Sequence, residues 1–217
     1  MHTVSSPVLT HTLAPSAPAL LAPDWSDHCC EPASRYVPTE FRIKQATQAW
    51  ERREAHALRR AVFCVEQGVF VGSDVDAIDA KAHLLVACSC VAGDCDQVVG
   101  TVRIHEAEPG VWWGSRLAVH PSFREHGLLG STLIKLAVGM AHAQGAHAFW
   151  AHVQGQNVPL FERLNWRLAR EVLLHGRPHG LMQASLVHYP PCHTPEWGHV
   201  TVPSPSRRVK PTAQVNA

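Results

Sequence analysis

Residues 117–131 constrain the fold of this chain more than any other stretch. They read LAVHPSFREHGLLGS, so an apolar strand pattern ends at Pro121, and Gly127 and Gly130 precede an apolar helix pattern. Glycines allow tight bends and let backbone N–H groups approach a ligand without obstruction by a Cβ atom. The start of a helix adds unpaired N–H donors and the positive end of a dipole, which favour a phosphate group. The stretch therefore predicts a strand–turn–helix unit that binds a phosphorylated ligand.

The chain divides into a central domain and two polar extensions. Residues 1–39 are rich in Pro, Ser, Ala and His and lack apolar periodicity, which predicts a flexible N-terminal extension. Residues 190–217 repeat that character with several prolines and predict a disordered Pro-rich tail. Residues 40–189 between them have the length of an ordinary domain.

Within this domain, strand and helix patterns alternate. The predicted strands cover residues 41–43, 84–88, 98–105, 111–119, 148–153, 168–174 and 181–187. The predicted helices cover residues 51–63, 131–144 and 158–164, and the first has an apolar face of Ala55, Leu58, Val62 and Val65. Antiparallel hairpins come first and a strand–helix–strand unit follows, so the fold class is α+β.

Composition and charge exclude several classes of function. The formal net charge of +1 argues against nucleic acid as a partner, and no apolar run is long enough to cross a membrane. The N-terminus lacks the pattern of a secretory signal, so we expect a cytoplasmic protein. Seven cysteines, an odd number, indicate reduced thiols rather than disulfides, and we expect no metal site.

The order of these motifs resembles the GCN5-related N-acetyltransferase (GNAT) family. The L-A-V-x-P strand and the R-x-x-G turn before an apolar helix are similar to its acetyl-CoA motif, although Gly127 and Gly130 are separated by two leucines rather than one residue. Residues 157–166 resemble the Asn-to-aromatic segment around the family's fourth helix. The resemblance covers residues 40–188. It implies a mixed, mostly antiparallel sheet of six to seven strands, about four helices, and a splay between the two central strands.

The resemblance also implies a cosubstrate. It predicts direct transfer of an acetyl group from acetyl-CoA to the amine of an unidentified small molecule, with the coenzyme A (CoA) diphosphate on backbone 124–131 and pantetheine along strand edge 117–119. Phe161 replaces the family's tyrosine, which protonates the departing thiolate. The predicted cofactor-binding residues are Leu117, Ala118, Val119, Arg124, Glu125, His126, Gly127, Leu128, Gly130, Ser131, Asn157 and Phe161.

The catalytic base has three candidates. Amine attack requires a base, direct or through water. Glu66 is the leading candidate, because it lies in the region that forms the acceptor wall in the family. His105 and His152 are alternatives, since each strand histidine titrates near neutral pH. Trp113 occupies the place of a glutamate that often serves as the base in GNAT proteins.

Charged residues predict where the acceptor binds. Arg103 and Arg116 match arginines of acyl-homoserine lactone synthases, which share the fold, and we expect them to pair with Asp76 and Asp79, either as wall-supporting salt bridges or in carboxylate recognition. The 175–182 segment presents Arg177 and His179 to an anionic acceptor or forms a polar hairpin turn. This segment resembles a bacterial subgroup found alone or fused to an AIR-synthase-like domain.

Two alternatives to N-acetyl transfer stay open at this point. One is an acyl-homoserine-lactone-synthase-like acyltransferase, for which Trp113 is a departure from that family's glutamate. The other is a non-catalytic module that binds CoA to regulate a partner, which the missing tyrosine at Phe161 motivates. The oligomeric state is open, with a homodimer as one arrangement.

Overall fold

A computed structural model of the chain describes residues 38, 40–126 and 128–202. Eight strands form one sheet in the order β6-β7-β5-β4-β3-β2-β1-β8. The strands are β1 Phe41–Gln45, β2 His83–Val91, β3 Asp94–Glu108, β4 Val111–Val119, β5 Ala148–Gln154, β6 Trp166–Leu174, β7 Arg177–Ala184 and β8 His199–Thr201. Neighbouring strands are antiparallel except β4 and β5, which are parallel. This confirms the predicted α+β class and mixed sheet, with one or two strands more than expected.

Three α-helices occur among the described residues, where about four were predicted. They are α1 Ala49–Arg59, α2 Leu128–Ala143 and α3 Val158–Arg163. The side chains of β2 alternate between two apolar clusters, since Leu85 packs with α2 residues and Val86 packs with α1 residues. The helices α1 and α2 therefore cover opposite faces of the sheet. No helix in the described part of the chain is long and apolar enough to cross a membrane.

The end of the first helix differs from the sequence prediction. Ala55, Leu58 and Val62 are buried as expected, but Val65 is 75% exposed. The cause is a π-helical segment, Arg60–Glu66, which follows α1 directly. A π-turn contains more residues than an α-turn, so the buried face shifts and Val65 points to solvent.

The central strands β4 and β5 separate halfway along their length. Their pairing runs from Val111 with Ala148 to Gly114 with Ala151 and then stops. On its other side β4 has a bulge at Arg116, whose φ is 55°, where the register shifts against β3. A bulge bends the strand that carries it. The edge of β4 after Gly114 consequently diverges from β5, which is the predicted splay.

Residues 190–202 belong to the folded unit. The Cys192 N–H donates to the carbonyl of Gly139 on α2, and β8 pairs with β1 at the sheet edge. The prediction of a disordered tail is therefore wrong for residues 190–202, because their backbone groups are paired with the domain. Residues 203–217, and all of the predicted N-terminal extension except Pro38, lie outside the described residues.

Candidate active site

A cavity of about 1140 Å³ opens where β4 and β5 separate. It is larger than the roughly 300–1,000 Å³ common for small-molecule pockets. His105, Trp113 and His152 line it from the α1 face of the sheet, and Leu117 and Phe149 line it from the α2 face. The cavity therefore passes through the splay and has a polar half and an apolar half.

The β4 edge and the start of α2 form one side of this cavity. Beyond Gly114 the edge has no β5 partner, so its backbone groups are available to an extended ligand. Gly130, in the first turn of α2, lines the cavity, and a Cβ built there would meet only Val119 Cγ2, at 3.9 Å. A free strand edge that leads to a helix start fits the pantetheine arm and diphosphate of CoA.

Most of the predicted cofactor-binding residues meet at this cavity. Those that line it are Leu117, Ala118, Val119, Arg124, Gly130, Asn157 and Phe161. Leu128 and Ser131 lie in the first turn of α2, where the Ser131 hydroxyl donates to the Leu128 carbonyl, and they are not among its lining residues. Gly127 and the side chains of Glu125 and His126 lie outside the described residues.

Arg124 and Glu66 form a bidentate ion pair at the cavity mouth. The Arg124 Nη1 and Nη2 atoms donate to the two Glu66 carboxylate oxygens at 2.7 and 2.6 Å, and Arg124 Nε donates to the Val119 carbonyl. The hydrogen bonds from Arg124 hold the pKa of Glu66 below its ordinary value. The pair connects the π-helical segment to the Pro121–His126 turn and makes Glu66 a weaker base.

Three arginines and three aspartates form a closed ring of ion pairs beside the polar half of the cavity. The consecutive N–O distances are Arg59–Asp74 2.7 Å, Asp74–Arg116 3.0 Å, Arg116–Asp76 3.3 Å, Asp76–Arg103 2.6 Å, Arg103–Asp79 2.8 Å and Asp79–Arg59 2.6 Å. The expected pairing of Arg103 with Asp76 and Asp79 is confirmed. Arg116 pairs with Asp76 and with Asp74, and no pair with Asp79 is seen among the described residues.

The ring supports the wall of the cavity rather than facing solvent. The side chain of Arg59 is fully buried, whereas that of Asp76 is 37% exposed and forms the open edge of the ring. Burial acts to raise the pKa of Asp79, but hydrogen bonds from Arg59 and the Asp76 backbone outweigh it and the net pKa is lowered. The Arg116 guanidinium lies 4.3 Å over the Phe70 ring. Together these contacts fix the 74–79 loop.

Arg59 was missed as a site residue in the sequence analysis. It lies four residues after the buried Ala55, so the helical period places its charge on the buried face of α1. A buried charge requires a partner. The aspartates at 74, 76 and 79 were available as partners. A charged residue on the apolar face of α1, followed by three nearby aspartates, could therefore have identified Arg59 from the sequence.

Two histidines and a tryptophan form a row across the polar half. His105 on β3 pairs with Trp113 on β4, and the Trp113 ring lies 5.1 Å from the His152 ring. His105 is 8% exposed, and its Nδ1 atom has no hydrogen-bond partner among the described residues. Burial lowers the pKa of His105 and of His152. Each imidazole consequently carries a proton at pH 7 less often than a free histidine does.

The remaining predicted acceptor residues occupy different places. His179 lines the main cavity, and its Nδ1 lies 2.9 Å from the Arg177 carbonyl. Arg177 instead lines a smaller separate cleft and donates to the Gln67 carbonyl at 2.6 Å. Asp79 is not among the lining residues of the main cavity within the described ranges and acts through the ring.

One cluster away from the cavity has the residue types of a metal site. Glu51, Cys88 and Cys95 place ligand atoms within 4.8 Å of one another. Glu51 is already engaged, since Oε1 lies 2.6 Å from Lys44 Nζ and Oε2 accepts from the Thr47 and Gln48 N–H groups. Burial raises the pKa of Cys88, which disfavours the thiolate that a metal requires. The cluster fits a structural role at the start of α1.

Comparisons with known proteins agree with this architecture. A profile of the acetyltransferase (GNAT) family matches residues 28–166. A Bacillus subtilis (strain 168) protein, provisionally named an acetyltransferase, is 29% identical over 150 residues, which are 64% of this chain and 93% of the relative.

Solved structures share the fold at low identity. An N-acetyltransferase-like protein of Lactobacillus plantarum has a TM-score of 0.59 and 22% identity, covering 67% of this chain and 98% of that one. ElaA of Escherichia coli has a TM-score of 0.56 and 17% identity, covering 67% and 98%. The CoA-dependent acyl-homoserine lactone synthase BjaI has a TM-score of 0.54 and 16% identity, covering 66% and 82%.

The family profile spans more than half of the chain, and it ends at Trp166, after the splayed strands β4 and β5 and the helix α2 between them. The fold expected for such proteins is the fold observed. The chain therefore belongs to the acetyltransferase (GNAT) family and is an acyltransferase.

Proposed function

We propose that the protein transfers an acetyl group from acetyl-CoA to the amine of a small molecule in one direct step. The observation that carries this proposal is the single cavity that joins the free edge of β4, the start of α2 and the histidine row. A donor thioester placed along the edge ends at the splay. An amine that enters from the α1 face meets it beside His152.

The chain's own residues supply binding and proton transfer in this reaction. The backbone of residues 115–119 pairs with the pantetheine arm, the first turn of α2 faces the diphosphate, and Asn157 contacts the arm. Trp113 and the exposed edge of Asp76 attract an ammonium group on the α1 face. The acceptor therefore arrives as a cation and must lose a proton before attack.

We assign His152 as the base and His105 as an acceptor-binding residue. His152 follows the last β4–β5 pair directly, at the splay, and its pKa is lowered. His152, directly or through water, takes the ammonium proton before attack and releases it to solvent. As the nitrogen then bonds to the acyl carbon and the C–S bond breaks, His152 takes the second proton from that nitrogen. Phe161 has no proton to give. The departing thiolate, whose thiol has a pKa of about 8.5, takes its proton from His152 or from water.

Acetyl-CoA is expected to stabilise the wild-type protein against heat, and Gly130→Trp is expected to abolish that stabilisation. Saturation to about 100 times Kd contributes about 2.7 kcal/mol, while an indole at position 130 fills the space beside Val119. The measurement is the melting temperature with and without acetyl-CoA. Lys135→Trp, on the exposed face of α2, is the matched control and keeps the stabilisation. An unchanged melting temperature of the wild-type protein with acetyl-CoA counts against the proposal.

The rate is expected to fall in acid, with a midpoint below pH about 6.5. Burial lowers the folded pKa of His152 and of His105, so the neutral base persists below the ordinary histidine pKa and is lost only as the pH falls further. The measurement is kcat/KM for CoA release between pH 5 and 8. A midpoint above the ordinary histidine value contradicts the assignment.

One alternative activity has an observation in its favour. The pairing of Arg103 and Arg116 with Asp76 follows the resemblance to acyl-homoserine lactone synthases. If an extract contains lactone formed from an acyl donor and S-adenosylmethionine, lactone synthesis replaces amine acetylation as the proposed activity. CoA binding without thiol release across a broad amine panel instead favours the regulatory module.

A further inference from the structure

The carboxylates that line the polar half of the cavity already have guanidinium partners. Glu66 pairs with Arg124, and Asp74 and Asp76 pair with arginines of the ring. Within the part of the chain that the structure describes, no lining carboxylate is left without such a partner. A second ammonium group, of the kind that a polyamine carries, therefore finds no unpaired anion in this half of the cavity.

The sheet beyond β5 instead presents a positive charge on the same face. Leu181 on β7 pairs with His152 on β5 and with Arg170 on β6, so the three side chains lie in one row on the α1 face. Strands lie about 4.8 Å apart, which places the Arg170 backbone roughly 10 Å from that of His152. Both His152 and Arg170 are exposed. Arg170 makes no ion pair or hydrogen bond with any other described residue, so its guanidinium is available to a ligand.

His179 extends this positive side of the cavity. It pairs with Gln154, two residues beyond His152 on β5, and it lines the cavity on the same face. Burial is the main cause of the lowered pKa of His152, and the positive charges of His179 and Arg170 lower that pKa further. The charges of both residues consequently reach the proposed base. Arg177, by contrast, donates to the Gln67 carbonyl at 2.6 Å and is engaged elsewhere.

We propose that Arg170, with His179 beside it, forms an anion subsite, and that the acceptor is an amine that also carries a carboxylate, as an amino acid does. This inference rests on the proposed acetyl transfer and names the class of its acceptor. The ammonium end lies beside Trp113 and His152, and the carboxylate end lies across the sheet. A guanidinium there binds a carboxylate through two parallel hydrogen bonds.

The bond changes are those of the proposed reaction. The N–C bond forms and the thioester C–S bond breaks. One of the two protons that the ammonium group loses goes to solvent, and the other goes to the CoA thiolate. The products are an N-acetyl amino acid and the free CoA thiol.

Amine pairs that differ only in a carboxylate test the subsite, with CoA release from acetyl-CoA as the measurement. The pairs are phenylalanine with phenethylamine, tryptophan with tryptamine, and lysine with cadaverine. The ratio of kcat/KM within a reacting pair is expected to favour the carboxylate in the wild-type protein. Arg170→Gln is expected to lower this ratio about tenfold, mainly through KM, and Arg170→Glu is expected to lower it further. Comparison of the same pair between proteins cancels the difference in amine basicity.

Arg53→Gln is the matched control for these variants. It removes the same charge from an exposed position on α1 that does not line the cavity, and it keeps the wild-type ratio. A ratio that Arg170→Gln leaves unchanged overturns the anion subsite and leaves the proposed function standing, because the amines still react. Absence of CoA release with every amine of the panel overturns both.

Discussion

Asp74→Asn is expected to lower the free energy of unfolding by about 3–5 kcal/mol, the range for a buried ion pair that loses one partner. The Asp74 side chain is 1% exposed and accepts from Arg59 Nε at 2.7 Å and from Arg116 Nε at 3.0 Å. The substitution leaves the fully buried Arg59 with one carboxylate fewer in a place that water does not reach. Urea denaturation of the wild-type and variant proteins measures the difference.

The control for this prediction is an ion pair on the surface. Glu66 and Arg124 are joined by two short hydrogen bonds, yet their side chains are 38% and 41% exposed. Solvent screens such a pair, so Glu66→Gln is expected to cost less than about 1 kcal/mol. Equal losses for the two variants would show that the ring does not depend on burial, and the account of the cavity wall would then be wrong.

His152→Gln is expected to lower kcat by roughly 10²–10⁴-fold, the usual contribution of a general base. Glutamine keeps a polar side chain at the splay but cannot accept the amine proton. Stabilisation by acetyl-CoA is expected to persist, because the β4 edge and the start of α2 are untouched. Steady-state rates with a responsive amine, together with melting temperatures, separate the loss of chemistry from a loss of binding.

His105→Gln distinguishes the two histidines of the row. We assign His105 to acceptor binding, so this variant is expected to raise the KM of the amine more than it lowers kcat. His188→Gln, at an exposed position outside the cavity lining, serves as the control for a general effect of the substitution. If His105→Gln lost the greater part of kcat and His152→Gln kept it, the assignment of the base would be reversed.

Local patterns in the sequence predicted most of the fold. Apolar residue patterns placed strands β1 to β6, and the two glycines and Pro121 placed the turn before α2. The last strand was predicted at 181–187 but lies at Arg177–Ala184, so most of the 175–182 segment is strand rather than a hairpin turn. These signals succeed because strand and helix periods are set by neighbours in sequence. The three residues of β8 were not predicted as a strand, because so short a strand forms only where the free edge of another strand, here β1, pairs with it.

The predictions for the site were less complete than those for the fold. Arg103, Asp76 and Asp79 were expected to pair and do so, but Arg59 was not among the predicted site residues. Arg59 and Asp79 are separated by twenty positions in the chain, and only the folded chain brings α1 and the Ala77–Ala80 turn together. Likewise, the ion pair between Glu66 and Arg124 joins residues that are 58 positions apart.

By itself, the sequence determined the family, the α+β class and the strand–turn–helix unit that borders the cavity, because each depends on residue types at short spacing. The tertiary structure alone decided which carboxylates are engaged, which histidines have a lowered pKa, and which residues line the cavity. Burial and ion pairing are properties of surroundings drawn from distant parts of the chain, and they arise only when the sheet and its two faces have assembled.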